Sequence, residues 1–186
     1  MTERDNLRLI LEEDMKVNFG RVLGPGGRLK EPLFKFLYLL RHLYALYTKK
    51  DKSFKDRIEF GIYKKLFSFY SRRFCLDISY KTSIGKGLRL PHPMGIVIHG
   101  KASLGDYCTI MQQVTIGNRS EKSKNDLPVI ESNVYIGAGA KILGSCTLGT
   151  GCVIGANAVV IHDIPEHSVA AGVPARIISR GATRRD

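Results

Sequence analysis

Through residues 78–160 an isoleucine, leucine or valine returns every six positions. Ile78, Ile84 and Leu90 form one run; Ile98, Leu104, Ile110 and Ile116 form a second; Ile130, Ile136, Ile142, Leu148, Ile154 and Val160 form a third. A glycine directly follows Ile84, Leu104, Ile116, Ile136, Leu148 and Ile154. Four places after an anchor stands a compact residue: Thr82, Ala102, Cys108, Val114, Val134, Ala140, Cys146, Cys152 and Ala158. A helix repeats at 3.6 residues and a flat strand at two, so neither satisfies a strict six. Such a repeat is the signature of a parallel β-helix, in which each repeat supplies one short strand and a turn. Three repeats close one triangular coil. The anchors then point inward and stack, and the glycines serve turns that need positive φ or close packing.

The period breaks twice. Leu90 to Ile98 spans eight residues, and the two extra fall in PHPMG. His92 stands there between Pro91 and Pro93, which restrict the backbone to an extended path. A histidine held on such a bulge is exposed and oriented, which makes it a candidate functional group. Ile116 to Ile130 spans fourteen, and its polar stretch 118–128 (NRSEKSKNDLP) cannot line a core. That stretch is expected as a loop extruded from a rigid scaffold, where binding sites often form. Asp77 precedes His92 by a little less than one coil. A carboxylate there is expected near the imidazole, fixing its tautomer and stabilising its charged form.

Residues 1–75 follow another pattern. Helices are expected over 6–17 (Leu7, Leu11, Met15), over 33–48 (Leu33, Phe36, Leu37, Leu40, Tyr44, Tyr47) and over 55–74. The last runs through Ile58, Ile62, Leu66 and Phe69, with Lys64, Lys65, Arg72 and Arg73 expected opposite. Residues 18–32 are turn-rich and read as a loop. The organisation is therefore a helical region (1–75), a β-helix (76–169) and a basic tail (170–186). Two readings of the aromatic, basic helices stand open: packing against another helix or subunit, or peripheral contact with a membrane interface.

The formal net charge is +12, and residues 1–75 hold 17 Lys and Arg against 9 Asp and Glu. That balance suits an anionic partner such as a nucleotide cofactor, a phosphorylated substrate or a membrane surface. Nucleic acid is not expected, since the basic residues form no recognisable binding motif. No apolar run is long enough to span a membrane, and Met1 to Asp14 lacks a signal-peptide pattern, so a cytoplasmic protein is expected. Three of the four cysteines occupy compact repeat positions and read as buried thiols. His162 and His167 have no third ligand in view, so no metal is expected. His42 and His99 have no context that singles them out.

The segments DIS…IGKGLRLPHPMGIVI, QQVTIGN, VYIGAGAKILG, CVIGANAVV and AAGVPARI, from Asp77 to Arg176, resemble the serine acetyltransferase branch of the left-handed β-helix acyltransferases. The resemblance implies a left-handed coil, a homotrimer with sites between neighbouring prisms, and acetyl-CoA lying along the groove. It places the catalytic base on His92 and its partner carboxylate on Asp77. Backbone contacts to the CoA arm fall on Ala138 and Ala156, and a glycine near the thioester falls on Gly117. Arg176, in the CoA-proximal turn, is assigned to a CoA phosphate on charge alone.

Three departures bear on the acceptor. Pro91 stands where the family has an aspartate before the histidine, and Asp126-Leu127 stands where it has an Arg-His pair. The helical region is also shorter than the family's. A zwitterionic amino acid needs one anionic and one cationic anchor, so the expected acceptor is a sugar hydroxyl in surface or extracellular polysaccharide biosynthesis. The alternative is serine O-acetylation for cysteine synthesis, with Arg119, Lys122 or Lys124 as new anchors. A non-catalytic β-helix scaffold is a third reading, which failure to bind acetyl-CoA would favour.

Overall fold

The computed structural model describes residues 3–120 and 126–181. Helices α1 (Glu3–Phe19), α2 (Pro25–Lys30), α3 (Pro32–Thr48) and α4 (Phe54–Arg73) precede the β-region. The expected helices match α1, α3 and α4 closely at each end. The expected loop over 18–32 instead contains α2. Pro25 opens that helix at a position where its missing N–H is no loss, and Pro32 opens the next. At the start of α4, Ser53 and Asp56 form a reciprocal capping box.

The β-region begins with β1 (Asp77–Ile78), β2 (Ser83–Ile84), β3 (Val97–Ile98), β4 (Ser103–Leu104), β5 (Thr109–Ile110) and β6 (Thr115–Gly117). After the extruded loop come β7 (Val129–Ile130), β8 (Tyr135–Ile136), β9 (Lys141–Leu143), β10 (Thr147–Leu148), β11 (Val153–Ile154) and β12 (Val159–Val160). Two longer strands, β13 (Ser168–Ala171) and β14 (Arg176–Arg180), close the region. They form three faces of a prism: β1-β3-β6-β9-β12, then β2-β4-β7-β10, then β5-β8-β11-β13-β14. Every pairing is parallel except β13 with β14, which is antiparallel. The basic tail therefore carries a strand, β14, that the repeat does not announce.

Pair registers show where each coil gains or loses residues. Val97 pairs with Thr115 and Lys141 with Val159, each pair separated by one regular coil of three repeats. Asp77 pairs with Val97, two positions more than a regular coil, and the surplus lies in the bulge at His92. Thr115 pairs with Lys141, eight positions more than a regular coil, and that surplus lies between β6 and β7.

Each two-residue strand turns one side chain inward. Ile98, Ile110, Ile116, Ile136, Ile142, Leu148 and Ile154 are essentially sealed from solvent, as are all nine compact residues. The compact residues fill the corners, where the turning backbone leaves room for little more than a methyl or thiol. Five of the six glycines after the anchors serve close packing, and none has positive φ. A Cβ on Gly137 would meet the Ala156 nitrogen at 2.7 Å, and one on Gly149 the Glu166 nitrogen at 2.4 Å. Left-handed backbone falls instead three places after the anchor, as at Asn133 and Asn157, a conformation that asparagine tolerates.

The helices are clasped to the lowest coil by a buried ion pair. Arg41 of α3 donates to both carboxylate oxygens of Asp14 in α1 at 2.8 and 3.0 Å. Arg41 also donates to the Ile84 and Gly85 carbonyls at 2.5 and 2.7 Å, while Asp14 accepts from the Leu88 N–H at 2.9 Å. Both side chains are more than nine-tenths buried. Removing one partner leaves the other charge uncompensated, which costs about 3–5 kcal/mol.

In α4 the side turned inward carries Phe60, Tyr63, Phe67 and Tyr70, with Phe67 stacked on Phe36 of α3 at 5.2 Å. The expected apolar side, Ile58, Ile62, Leu66 and Phe69, faces outward. Aromatic residues offset by one position offer a second apolar arc, and that arc packs.

Two outcomes are expected. Arg41→Ala lowers the unfolding free energy by about 3–5 kcal/mol in urea denaturation. Burial pushes the Cys108 and Cys146 thiols up to about 11 and Cys152 up to about 12, whereas Cys75 is exposed. A thiol reagent at pH 8 therefore labels Cys75 alone in the folded protein and all four cysteines in urea.

Candidate active site

One edge of the prism, between the third and first faces, gathers most of the expected site residues. Its corners from bottom to top are 91–96, 111–114, 137–140, 155–158 and 172–175. Backbone hydrogen bonds join successive corners. Gln113 donates to Met94 at 2.9 Å, Gly139 to Gln112 at 2.9 Å, and Asn157 to Ala138 at 2.8 Å. His92, Ala138, Ala156 and the turn before Arg176 thus lie in a column about 19 Å high, four steps of roughly 4.8 Å.

His92 is exposed on the lowest corner. Its turn is fixed from three sides. Met94 N–H donates to the His92 carbonyl at 2.7 Å inside the turn, and Gly95 N–H reaches the Phe74 carbonyl at 3.3 Å. From α1, the Asn18 side chain accepts from Leu90 N–H at 2.9 Å and donates to the Leu88 carbonyl at 2.7 Å. The helical region therefore sets the path of the chain just before His92. Asn18 carries no motif, and only its contact with a segment remote in the chain reveals the role.

Asp77 is exposed on β1, on the outward side of the first face. Because the coil above it carries the surplus of the His92 bulge, Asp77 lies beneath Val97 rather than directly beneath His92. Asp77 N–H donates to Ile96 at 2.9 Å, which ties its strand to the end of the His92 turn. Among the described residues the His92 ring and the Asp77 carboxylate make no hydrogen bond to one another. Above Asp77 on the same face come Val97, Thr115, Lys141 and Val159. The Lys141 ammonium is fixed there by the Gln113 carbonyl at 2.6 Å and the Thr115 hydroxyl at 3.2 Å.

Gly117 ends β6 on the opposite border of the first face, where the extruded loop departs. Unlike Gly137 or Gly149, it meets nothing closer than the His99 Cβ at 3.9 Å if a Cβ is added. Packing within this chain therefore does not require glycine at 117. Ala138 and Ala156 present N–H groups that donate to no backbone carbonyl among the described residues. Arg176 is exposed at the top of the column, and its guanidinium donates to the Ala175 carbonyl at 3.0 Å. Gln112, on the second corner, holds its amide oxygen enclosed with no hydrogen-bond partner among the described residues. Such an orphan acceptor is uncommon.

The loop residues that suggest a departure have another duty. The Asp126 carboxylate accepts from the Ser145 N–H and lies against Gly144, as does the stem of Arg119. It pins the end of the extruded loop to the coil above. Lys122 and Lys124 lie outside the described residues. Among the described residues no group of three or more metal-ligating side chains forms.

The stacked three-faced coil is the architecture of the hexapeptide-repeat class of proteins. A family model for bacterial transferase hexapeptide (six repeats) matches residues 128–162. A serine acetyltransferase from Bacillus subtilis is 36% identical, the match covering 95% of this chain and 81% of the relative. One from Synechococcus elongatus is 40% identical over 60% of this chain, and this chain spans only 46% of its length. The soybean serine acetyltransferase apoenzyme superposes with a TM-score of 0.78 at 28% identity, over 94% of this chain and 69% of that one. The chain belongs to the serine acetyltransferase family, and its coil is the left-handed β-helix of that family.

These relatives overturn the expectation of a polysaccharide sugar as acceptor. That expectation rests on Pro91, Asp126 and Leu127, and Asp126 has its own structural reason to be acidic. The length argument falls as well, since the Bacillus relative covers the short helical region.

Cutting the tie from α1 is expected to loosen the His92 turn. In Asn18→Ala, amide hydrogen exchange at Leu90 accelerates, while exchange in β8 and β11 is unchanged.

Proposed function

We propose that the protein transfers an acetyl group from acetyl-CoA to the hydroxyl oxygen of serine. The observation that carries this reading is the column of His92, Ala138, Ala156 and the 172–176 turn along one edge, in a chain 36% identical to a serine acetyltransferase over most of both lengths. The column is long enough for an extended pantetheine arm, with the thioester low beside His92 and the phosphates high beside Arg176. The N–H groups of Ala138 and Ala156, which meet no backbone carbonyl among the described residues, are the donors for the arm.

His92 acts as general base. It takes the proton of the serine hydroxyl as the oxygen attacks the thioester carbonyl, a contribution worth about 10²–10⁴-fold. The tetrahedral adduct expels CoA thiolate, and the imidazolium returns the proton to that sulfur. O-acetylserine and CoA leave, with no covalent enzyme intermediate. Asp77 stabilises the imidazolium. Catalytic hydrogen bonds often tighten only in the Michaelis complex, so this role does not require contact between Asp77 and His92 beforehand.

Serine brings a carboxylate that needs a cation. Arg119, exposed at the base of the extruded loop, is the candidate among the described residues. Three copies assembling around the prism complete the site, which fits the unpartnered Gln112 oxygen and the exposed Val97 and Val129 on flat faces.

CoA release is measured with serine and with a panel of sugars and nucleotide sugars. Release with serine is expected, falling at least about 100-fold in His92→Ala while that variant still binds acetyl-CoA. Undiminished release in His92→Ala, or silence with serine, defeats the proposal. Arg119→Gln is expected to raise the KM for serine while changing the KM for acetyl-CoA little.

A further inference from the structure

Helix α4 has two apolar sides and uses one. Phe54, Ile58, Ile62, Leu66 and Phe69 recur at spacings of four, four, four and three, which keeps them on one side over about 23 Å. Their exposures are 80%, 48%, 52%, 45% and 56% in this chain. Across an apolar groove of about 280 Å³ that Leu66 also borders, Leu29 of α2 is 72% exposed. Scattered exposed leucines are ordinary, but a row of five large side chains on one helix, with Leu29 across the groove, marks an interaction surface.

The charges around the row are mostly basic. At 3.6 residues per turn, Lys65 and Arg72 share the angular position of Phe54 around the helix, and Lys55 and Arg73 that of Ile62. Arg57, Lys64, Lys30 and Lys35 stand further out. Of the two acids in α4, Asp56 is taken by the capping box and by Lys49. Glu59 stands at the margin, 3.8 Å from Lys55. A second copy laid face to face on this row would set cations against cations across a two-fold axis. A surface of anionic headgroups neutralises them. No helix among the described residues is long and apolar enough to cross a membrane.

We propose that this side of α4, extended by Leu29, lies on an anionic lipid surface. The phenylalanine, isoleucine and leucine side chains enter the boundary between headgroups and acyl chains. Lysine and arginine stems run beside them and carry their charges to the phosphates. The helix lies in the plane of the interface, and the prism stands clear of it on α3 and the Asp14–Arg41 clasp.

The test is co-sedimentation of the full chain with vesicles of phosphatidylcholine alone or mixed with phosphatidylglycerol, at low and high salt. The full chain is expected to bind the mixed vesicles and to bind neutral ones far more weakly, with binding lost at high salt. Lys65→Gln/Arg72→Gln/Arg73→Gln is expected to weaken binding about 100-fold, from the usual worth of three surface cations near such lipids. Ile58→Gln/Ile62→Gln/Phe69→Gln is expected to abolish binding. Both variants change exposed side chains only, and the single reactive thiol verifies that each is folded. Equal binding to neutral and anionic vesicles overturns the proposal, and so does unchanged binding by the apolar variant. Lipid-free association that the apolar variant abolishes, with no vesicle binding by the parent, assigns the row to a second copy and also overturns it.

Discussion

A two-residue strand can turn only one side chain inward, and the whole β-region follows from that limit. Each strand contributes a single anchor, so each anchor must be large, branched and directly above its counterpart in the coil below. Burial of one such side chain is worth about 1.5–3 kcal/mol, and cooperation comes only from stacking. The corners then accept only small residues, and the backbone three places past the anchor turns left-handed. Side chains pointing outward are released from packing. They are the ones free to serve chemistry, as Asp77, Thr115 and Lys141 stand on one face.

The helical region does more than accompany this stack. Arg41, Asp14 and Asn18 meet the carbonyls and N–H groups of the lowest coil, which has no coil beneath it. Desolvating that ion pair is costly, but here its spare hydrogen-bonding capacity satisfies backbone that would otherwise be orphaned. The same contacts lead directly into Pro91 and His92, so scaffold and candidate catalytic turn share one support.

Much of this is legible in the sequence, because a strict period leaves few alternatives. The anchors, the compact corners and both irregularities at 91–95 and 118–128 can be placed by counting. Counting fails where the period stops. Helix α2 hides among glycines and prolines, and β14 begins at the end of a turn-like AAGVPAR with no repeat. The orientation of α4 escapes the pattern because its sequence offers two apolar arcs, and only contact with Phe36 and Tyr80 decides between them. Asp126 and Leu127 mislead about the acceptor. A carboxylate at a loop end can serve either a ligand or a neighbouring backbone N–H, and sequence does not distinguish the two.

The antiparallel pairing of β13 with β14 has a consequence for the solenoid as a whole. A stack of parallel coils ends in open strand edges, which invite further strands to add and extend the stack without limit. At the top, β14 reverses direction, brings Arg176 and Arg180 to the rim and breaks the six-residue rhythm that an incoming coil would need to match. At the bottom, α1 and α3 occupy the edge. The third face is thus closed at its top and the lowest coil is covered at its base, and these closures keep a surface built for stacking from acting as a template for fibres.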